Sequence, residues 1–201
     1  MTGPGPRFDA VVLAGGRSSR LGGVAKAGLM LDGETLLERT CSALGAARSL
    51  VVVGPRPVGA ALDGTPVTFV REEPEFAGPA AALATGFAAL QGERAPWCVV
   101  VACDMPGIAG LLDALLAAAS DAADASLVAV DGGREQPLAG LYRTQDLEEA
   151  IARTLALGPA ANLSMRSLLA SVRTRQVPVP PGTTHDVDTW ADARALGVAV
   201  P

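Results

Sequence analysis

The chain has 201 residues, of which 49% are hydrophobic and 3% aromatic, and its formal charge at pH 7 is −5. That supply of apolar residues builds a packed core of Ala, Val and Leu and excludes a disordered chain. The acidic balance excludes a general nucleic-acid binder, which presents a basic face, but leaves room for a small anionic ligand held by one local basic loop.

A first strand over 10–13 runs into the stretch "LAGGRSSRLGGVAK" at 13–26. A helix over 35–44 follows, with Leu36, Leu37, Thr40, Cys41 and Leu44 on one face. Strands over 50–53 and 67–70 then precede a helix over 79–90. The strand over 97–102, "WCVVVA", ends in Cys103-Asp104-Met105-Pro106 and leads to a helix over 109–120. Strands over 126–130 and 137–142 flank "DGGREQ", which predicts a hairpin-like pair. Helices over 145–155 and 165–170, a strand over 175–179 and a helix over 189–196 complete the chain. "TWAD" at 189–192 reads as the capping box of the last helix. The early strands are apolar throughout, as when helices cover both faces of a sheet. The expected fold is therefore α/β, with a mostly parallel central sheet. No repeat is present, and the Pro/Gly-rich pieces 54–66 and 177–183 read as loops within one domain.

The opening loop has no acidic residue between Asp9 and Asp32. In open α/β sheets ligands sit beyond the carboxyl ends of strands. Glycines let backbone N–H groups turn inward as an anion nest. Arg17, Arg20 and Lys26 add positive charge, a combination suited to a triphosphate. Lys26 is the one lysine of the chain, against fifteen arginines, which points to a need for a compact point charge there. The loop fits neither the P-loop pattern nor the dinucleotide fingerprint. The bland alternative is a solvated turn with surface arginines.

Asp104 follows a buried strand and is expected to point into the same crevice. It is a candidate to hold Mg²⁺ through one carboxylate, with phosphate oxygens as further ligands. Its other reading is a cap for the turn into the next helix. Asp186 and Asp188 alternate as in a strand, which directs both to one side. One of them completes the metal's surroundings, or Asp188 caps the last helix. The lone His185 reads as a surface residue rather than a catalyst.

Taken in order, "LAGGRSSRLGG" with Lys26, "EEPEFAGPAAAL", "CDMP", "QPLAGLY", the S-x-R-x-L-L segment at 164–169 and "DVDT" resemble the MobA-like nucleotidyltransferases, the molybdenum cofactor guanylyltransferases. The likeness runs over about residues 8–197. It implies a Rossmann-like nucleotidyltransferase fold that uses GTP and Mg²⁺ and transfers GMP to molybdopterin with release of pyrophosphate. Carried over residue by residue, Leu13, Ala14, Gly15, Gly16, Arg17 and Glu73 border the nucleotide. Lys26 and Arg20 contact phosphates, and with Asp104 they form the catalytic set. Asp104 binds Mg²⁺, with Asp188 as a further ligand. Gln136, Pro137 and Arg166 lie toward the pterin. Residues 8–110 then form a nucleotide-binding half and 111–197 an acceptor-binding half. The implied partners are small molecules, with no nucleic acid and no membrane, and transient contact with cofactor-biosynthesis proteins or apo-enzymes.

Four positions depart from the pattern. Ala25 stands where Asp is frequent, Gly54 where Asn is frequent and Glu73 where Asp is usual, and "DVDT" replaces "NVNT". The first two remove polar groups near the nucleotide, and the last adds charge near the metal. Two alternatives accompany this reading: a cytidylyl- or sugar-phosphate nucleotidyltransferase, and a non-catalytic nucleotide-binding accessory protein. Cys41, Cys98 and Cys103 lack metal-ligand spacing and fit a reducing compartment. With no signal-peptide pattern and no apolar stretch of roughly 18–20 residues, the expected location is the cytoplasm.

Overall fold

The computed structural model describes residues 5–16, 18–57, 62, 66–122 and 124–200. Seven strands form one sheet in the order β5-β4-β1-β6-β8-β7-β9. These are β1 (Phe8–Leu13), β4 (Leu50–Val53), β5 (Val67–Val70), β6 (Trp97–Ala102), β7 (Ser126–Asp131), β8 (Arg134–Arg143) and β9 (Thr174–Pro178). β8 alone runs antiparallel to its neighbours, so the sheet is mostly parallel, as expected. The hairpin predicted around "DGGREQ" is the β7–β8 pair, turning at Gly132 and Gly133. The 137–142 part of β8 contains a bulge opposite Val128 and Ala129. Tyr142 stabilises it by donating to the Pro137 carbonyl at 2.7 Å. Its ring lies so close over Gly140 that a Cβ there would sit 2.5 Å away.

Alternation along the strands sorts side chains between two cores. Val12, Val99 and Val101 pack with α1 (Leu36–Ala43) and α3 (Ile108–Ala119) through Leu37, Leu44, Leu111 and Leu115. Val11, Val51, Val53 and Val100 pack with α2 (Pro79–Ala88), α4 (Thr144–Leu157) and α5 (Met165–Leu168) through Leu83, Phe87, Leu147 and Met165. Both faces are thus dry, which is why the strands read as unbroken apolar runs. Strand β1 starts two residues earlier than the sequence pattern suggested, because the charge of Asp9 is matched. Arg48 lies 2.8 Å from one carboxylate oxygen and the Ala95 N–H donates to the other at 2.8 Å.

A third, small cluster positions the site. Leu21 and Leu29 of the opening loop pack with Leu36, Val187, Ala193 and Val198. It docks the chain before α6 (Trp190–Ala195) onto that loop. A short hairpin of β2 (Met30–Leu31) and β3 (Glu34–Thr35) was not legible in the sequence, since two residues per strand carry no pattern. The capping box at Thr189 and Asp192 is present, so Thr189 and not Asp188 caps α6. Likewise α3 begins after Gly107, and Asp104 caps no helix. Among the described residues no helix is long and apolar enough to cross a membrane.

Candidate active site

The strands β5, β4, β1 and β6 all end on one edge, and a cleft of about 630 Å³ lies along it. That volume suits a nucleotide-sized ligand. Leu13, Ala14, Gly15, Gly16, Arg20, Lys26, Asp104 and Asp188 line it, so most of the sequence-derived residues converge there. Arg17 lies outside the described residues. Glu73 is exposed and is not on the wall; its neighbour Glu72 is, and it is buried. Gln136 and Pro137 are half-buried in β8 just beyond the cleft, where Leu138 reaches the wall. Arg166 is exposed on α5. The chain before α5 braces the cleft's rim: the Asn162 N–H donates to the Ala77 carbonyl at 2.6 Å, beside the wall residues Gly78 and Pro79.

The opening loop is held against the sheet by backbone bonds. Ala14 N–H donates to Val53 at 2.9 Å, and Cys103 N–H donates to Leu13 at 3.1 Å. Gly54 crosses so near this loop that a Cβ would lie 2.7 Å from the Ala14 carbonyl carbon, and its φ is +151°. A side chain at 54 does not fit this backbone. Glycine at 54 is therefore built into the loop's path.

The charged corner lies where the β1 loop meets the end of β6. Lys26 opens a short 3₁₀ turn and places Nζ 2.7 Å from Asp104 Oδ2 and 2.5 Å from Asp188 Oδ1. Arg20 reaches the other oxygen of Asp188 at 3.3 Å. Asp104 accepts a bond at its carbonyl from Val187 N–H at 3.1 Å, which pins the 186–188 stretch beside it. The carboxylates of Asp104, Asp186 and Asp188 consequently offer oxygens within 4.8 Å of one another. The 186–188 stretch is irregular rather than a strand, yet both of its aspartates reach Asp104.

Among the described residues two cations face three carboxylates here, an excess of negative charge. Burial alone would lower the Lys26 pKa, but the Asp104 charge and the hydrogen bonds Lys26 donates to both aspartates hold it above the ordinary value. The Asp186 carboxyl is pushed up by burial and by the Asp188 and Asp104 charges. An excess of clustered, hard oxygen donors is the environment a divalent cation favours.

Glu72 and Phe76 are among the wall residues that the sequence pattern did not single out. A signal existed: Glu72 stands two residues past the end of β5, as Asp104 stands two past β6.

The description "MobA-like NTP transferase domain" matches residues 10–177. A Mycobacterium avium protein named "Probable molybdenum cofactor guanylyltransferase" is 35% identical over 199 residues, covering 96% of each chain. The crystal structure of molybdopterin-guanine dinucleotide biosynthesis protein A from Archaeoglobus fulgidus is similar with a TM-score of 0.68 and 19% identity, covering 94% of this chain and 96% of that one. The 2-C-methyl-D-erythritol 4-phosphate cytidylyltransferase of Francisella tularensis gives a TM-score of 0.74 at 12% identity, covering 94% and 98%. At these identities the two structures show a shared fold and leave the choice of nucleotide to the site. A family match over most of the chain, a relative above 30% identity along nearly its whole length and a cleft at the strand ends agree: the chain belongs to the MobA-like NTP transferase family and is a nucleotidyltransferase.

Proposed function

We propose that this chain transfers GMP from GTP to the terminal phosphate of molybdopterin, releasing pyrophosphate, with Mg²⁺ as cofactor. The observation that carries the reading is the charged corner, where Lys26 sits between Asp104 and Asp188 at the end of the cleft. The donor set fits magnesium, because three carboxylates converge there and the ammonium already occupies the cation's kind of place among them. Asp104, Asp186 and Asp188 would hold the ion, which when bound supplies charge relief at the α-phosphate.

The residues of the chain do the rest. Lys26 and Arg20, now spent on aspartates, are the groups available to grip phosphate oxygens once a dication meets the carboxylates' demand. The acceptor phosphate is already anionic at neutral pH, so it needs orientation more than a base. Residues 8–110 hold the nucleotide and 111–197 receive the acceptor, which enters from the β8 side past Gln136, Pro137 and Leu138. Arg166, exposed on α5, is available to an anionic acceptor. Attack and departure then lie along the cleft, with pyrophosphate leaving toward the opening loop.

The test is pyrophosphate release with GTP, CTP, UTP and ATP in Mg²⁺, each with and without molybdopterin. The reading expects release with GTP that depends on molybdopterin. Equal or greater release with CTP contradicts the guanylyl assignment, and nucleotide binding without any release contradicts the enzyme's proposed reaction.

A further inference from the structure

We propose that the Phe76 ring is the platform on which the nucleobase stacks. The inference rests on the nucleotide reading above and assigns a contact that reading leaves open. The cleft runs along four adjacent strand ends, from β5 through β4 and β1 to β6. Three strand spacings make it about 14 Å long. With the phosphates at the Lys26–Asp104 corner on β6, the nucleoside extends toward β4 and β5. The acceptor side is β8, beyond β6, so the β5 end faces the base and not the acceptor.

Phe76 stands at that β5 end. It is the one aromatic side chain among the described residues lining the cleft. Phe8, Phe87 and Tyr142 are buried and Phe69, Trp97 and Trp190 half-buried, whereas Phe76 is 46% exposed. Its backbone takes φ +62°, a left-handed conformation that bulky residues rarely adopt. Such a conformation persists where the surroundings over-determine it, and functional sites are where it gathers. Here the surroundings are specific. The buried carboxylate of Glu72 accepts the Phe76 N–H at 3.1 Å, and an Arg71–Glu75 ion pair at 2.5 Å spans the same turn. Glu72 is thus a positioning residue and Phe76 the contact residue. Gly15, Gly54 and Pro55 lie along the neighbouring strand ends of the same cleft, a smooth wall against which a flat ring can rest. An aromatic face binds any base, and the larger rings of a purine overlap it more.

The test compares binding of GTP with binding of inorganic tripolyphosphate, which has no base, by calorimetry in Mg²⁺. It uses the wild-type chain, Phe76→Ala and Phe76→Trp. Phe76→Ala is expected to weaken GTP by about ten-fold while leaving tripolyphosphate within about two-fold, and Phe76→Trp to restore GTP. Unchanged GTP affinity in Phe76→Ala, or equal weakening of both ligands, overturns the platform while the nucleotide site stands. A wild-type chain that binds neither ligand overturns the nucleotide site and the platform with it.

Discussion

Asp9 near the start of β1 and Asp104 just past the end of β6 are carboxylates at opposite ends of one strand pair, each bonded to a basic side chain. Asp9 is fully buried, and Arg48 and the Ala95 N–H meet its oxygens. Its charge is matched by one guanidinium, and both hydrogen bonds fall on Oδ2. Asp104 is bonded to Lys26 at 2.7 Å, with side-chain exposures of 15% and 20%, but it shares that lysine with Asp188, and Asp186 stands beside them. There, among the described residues, the negative charge exceeds the positive and the corner opens on the cleft. A closed, matched pair holds strands together; an open, unmatched one is poised to exchange its cation for a ligand's charges.

The largest effect expected from breaking this contrast is at Lys26. Lys26→Met is predicted to lower turnover by about 10²–10³, the loss typical when one positioned electrostatic group is removed. Pyrophosphate release measures it, and circular dichroism should show the fold retained. Arg48→Ala should do the reverse. Stripping the partner from buried Asp9 is expected to cost about 3 kcal/mol in urea unfolding while leaving the rate per folded molecule unchanged. A rate loss at Arg48 matching that at Lys26 would erase the distinction.

Gly54→Asn sharpens the comparison from the turn after β4, which crosses the opening loop. The added Cβ meets the Ala14 carbonyl, so asparagine at this position should destabilise by about 1–3 kcal/mol rather than improve GTP binding. The smallest effect is at Asp131, which accepts from the Thr184 N–H and hydroxyl, each at 3.1 Å, and so steadies the loop before Asp186. Its pKa is lowered from 3.8, chiefly by the Thr184 backbone bond, against a smaller opposing effect of burial. A depressed carboxylate stabilises the fold above its unfolded pKa and loses that contribution as pH falls through the folded value. Thermal melts below pH 4 should therefore fall more steeply for the wild type than for Asp131→Asn, and parallel curves would remove the role.

Much of this was legible before the fold was seen, for physical reasons. A single lysine in a glycine-rich loop after an apolar strand marks an anion-facing turn, and Asp104 just past a dry strand marks the opposing carboxylate. The T-x-x-D cap at Thr189 was readable because capping depends on local bonds alone. Other features depend on partners remote in sequence. Asp9 is held in a strand because Arg48 pairs with its charge and the Ala95 N–H donates to it. Between Glu72 and Glu73 the choice turns on where β5 ends, and Val70 is that end. Asp186 and Asp188 reach the corner through the bond from Val187 to Asp104 and the packing of Val187 on Leu21 and Leu29, neither of which a periodic pattern encodes.

The central claim is that the unmatched carboxylate corner is the reaction centre. Asp104→Asn keeps the size of the side chain and removes its charge. Pyrophosphate release from GTP in Mg²⁺ and molybdopterin, compared between this variant and the wild type at equal folded fraction, tests the claim most directly. The account predicts a loss of at least about 100-fold. Turnover close to that of the wild type would contradict it.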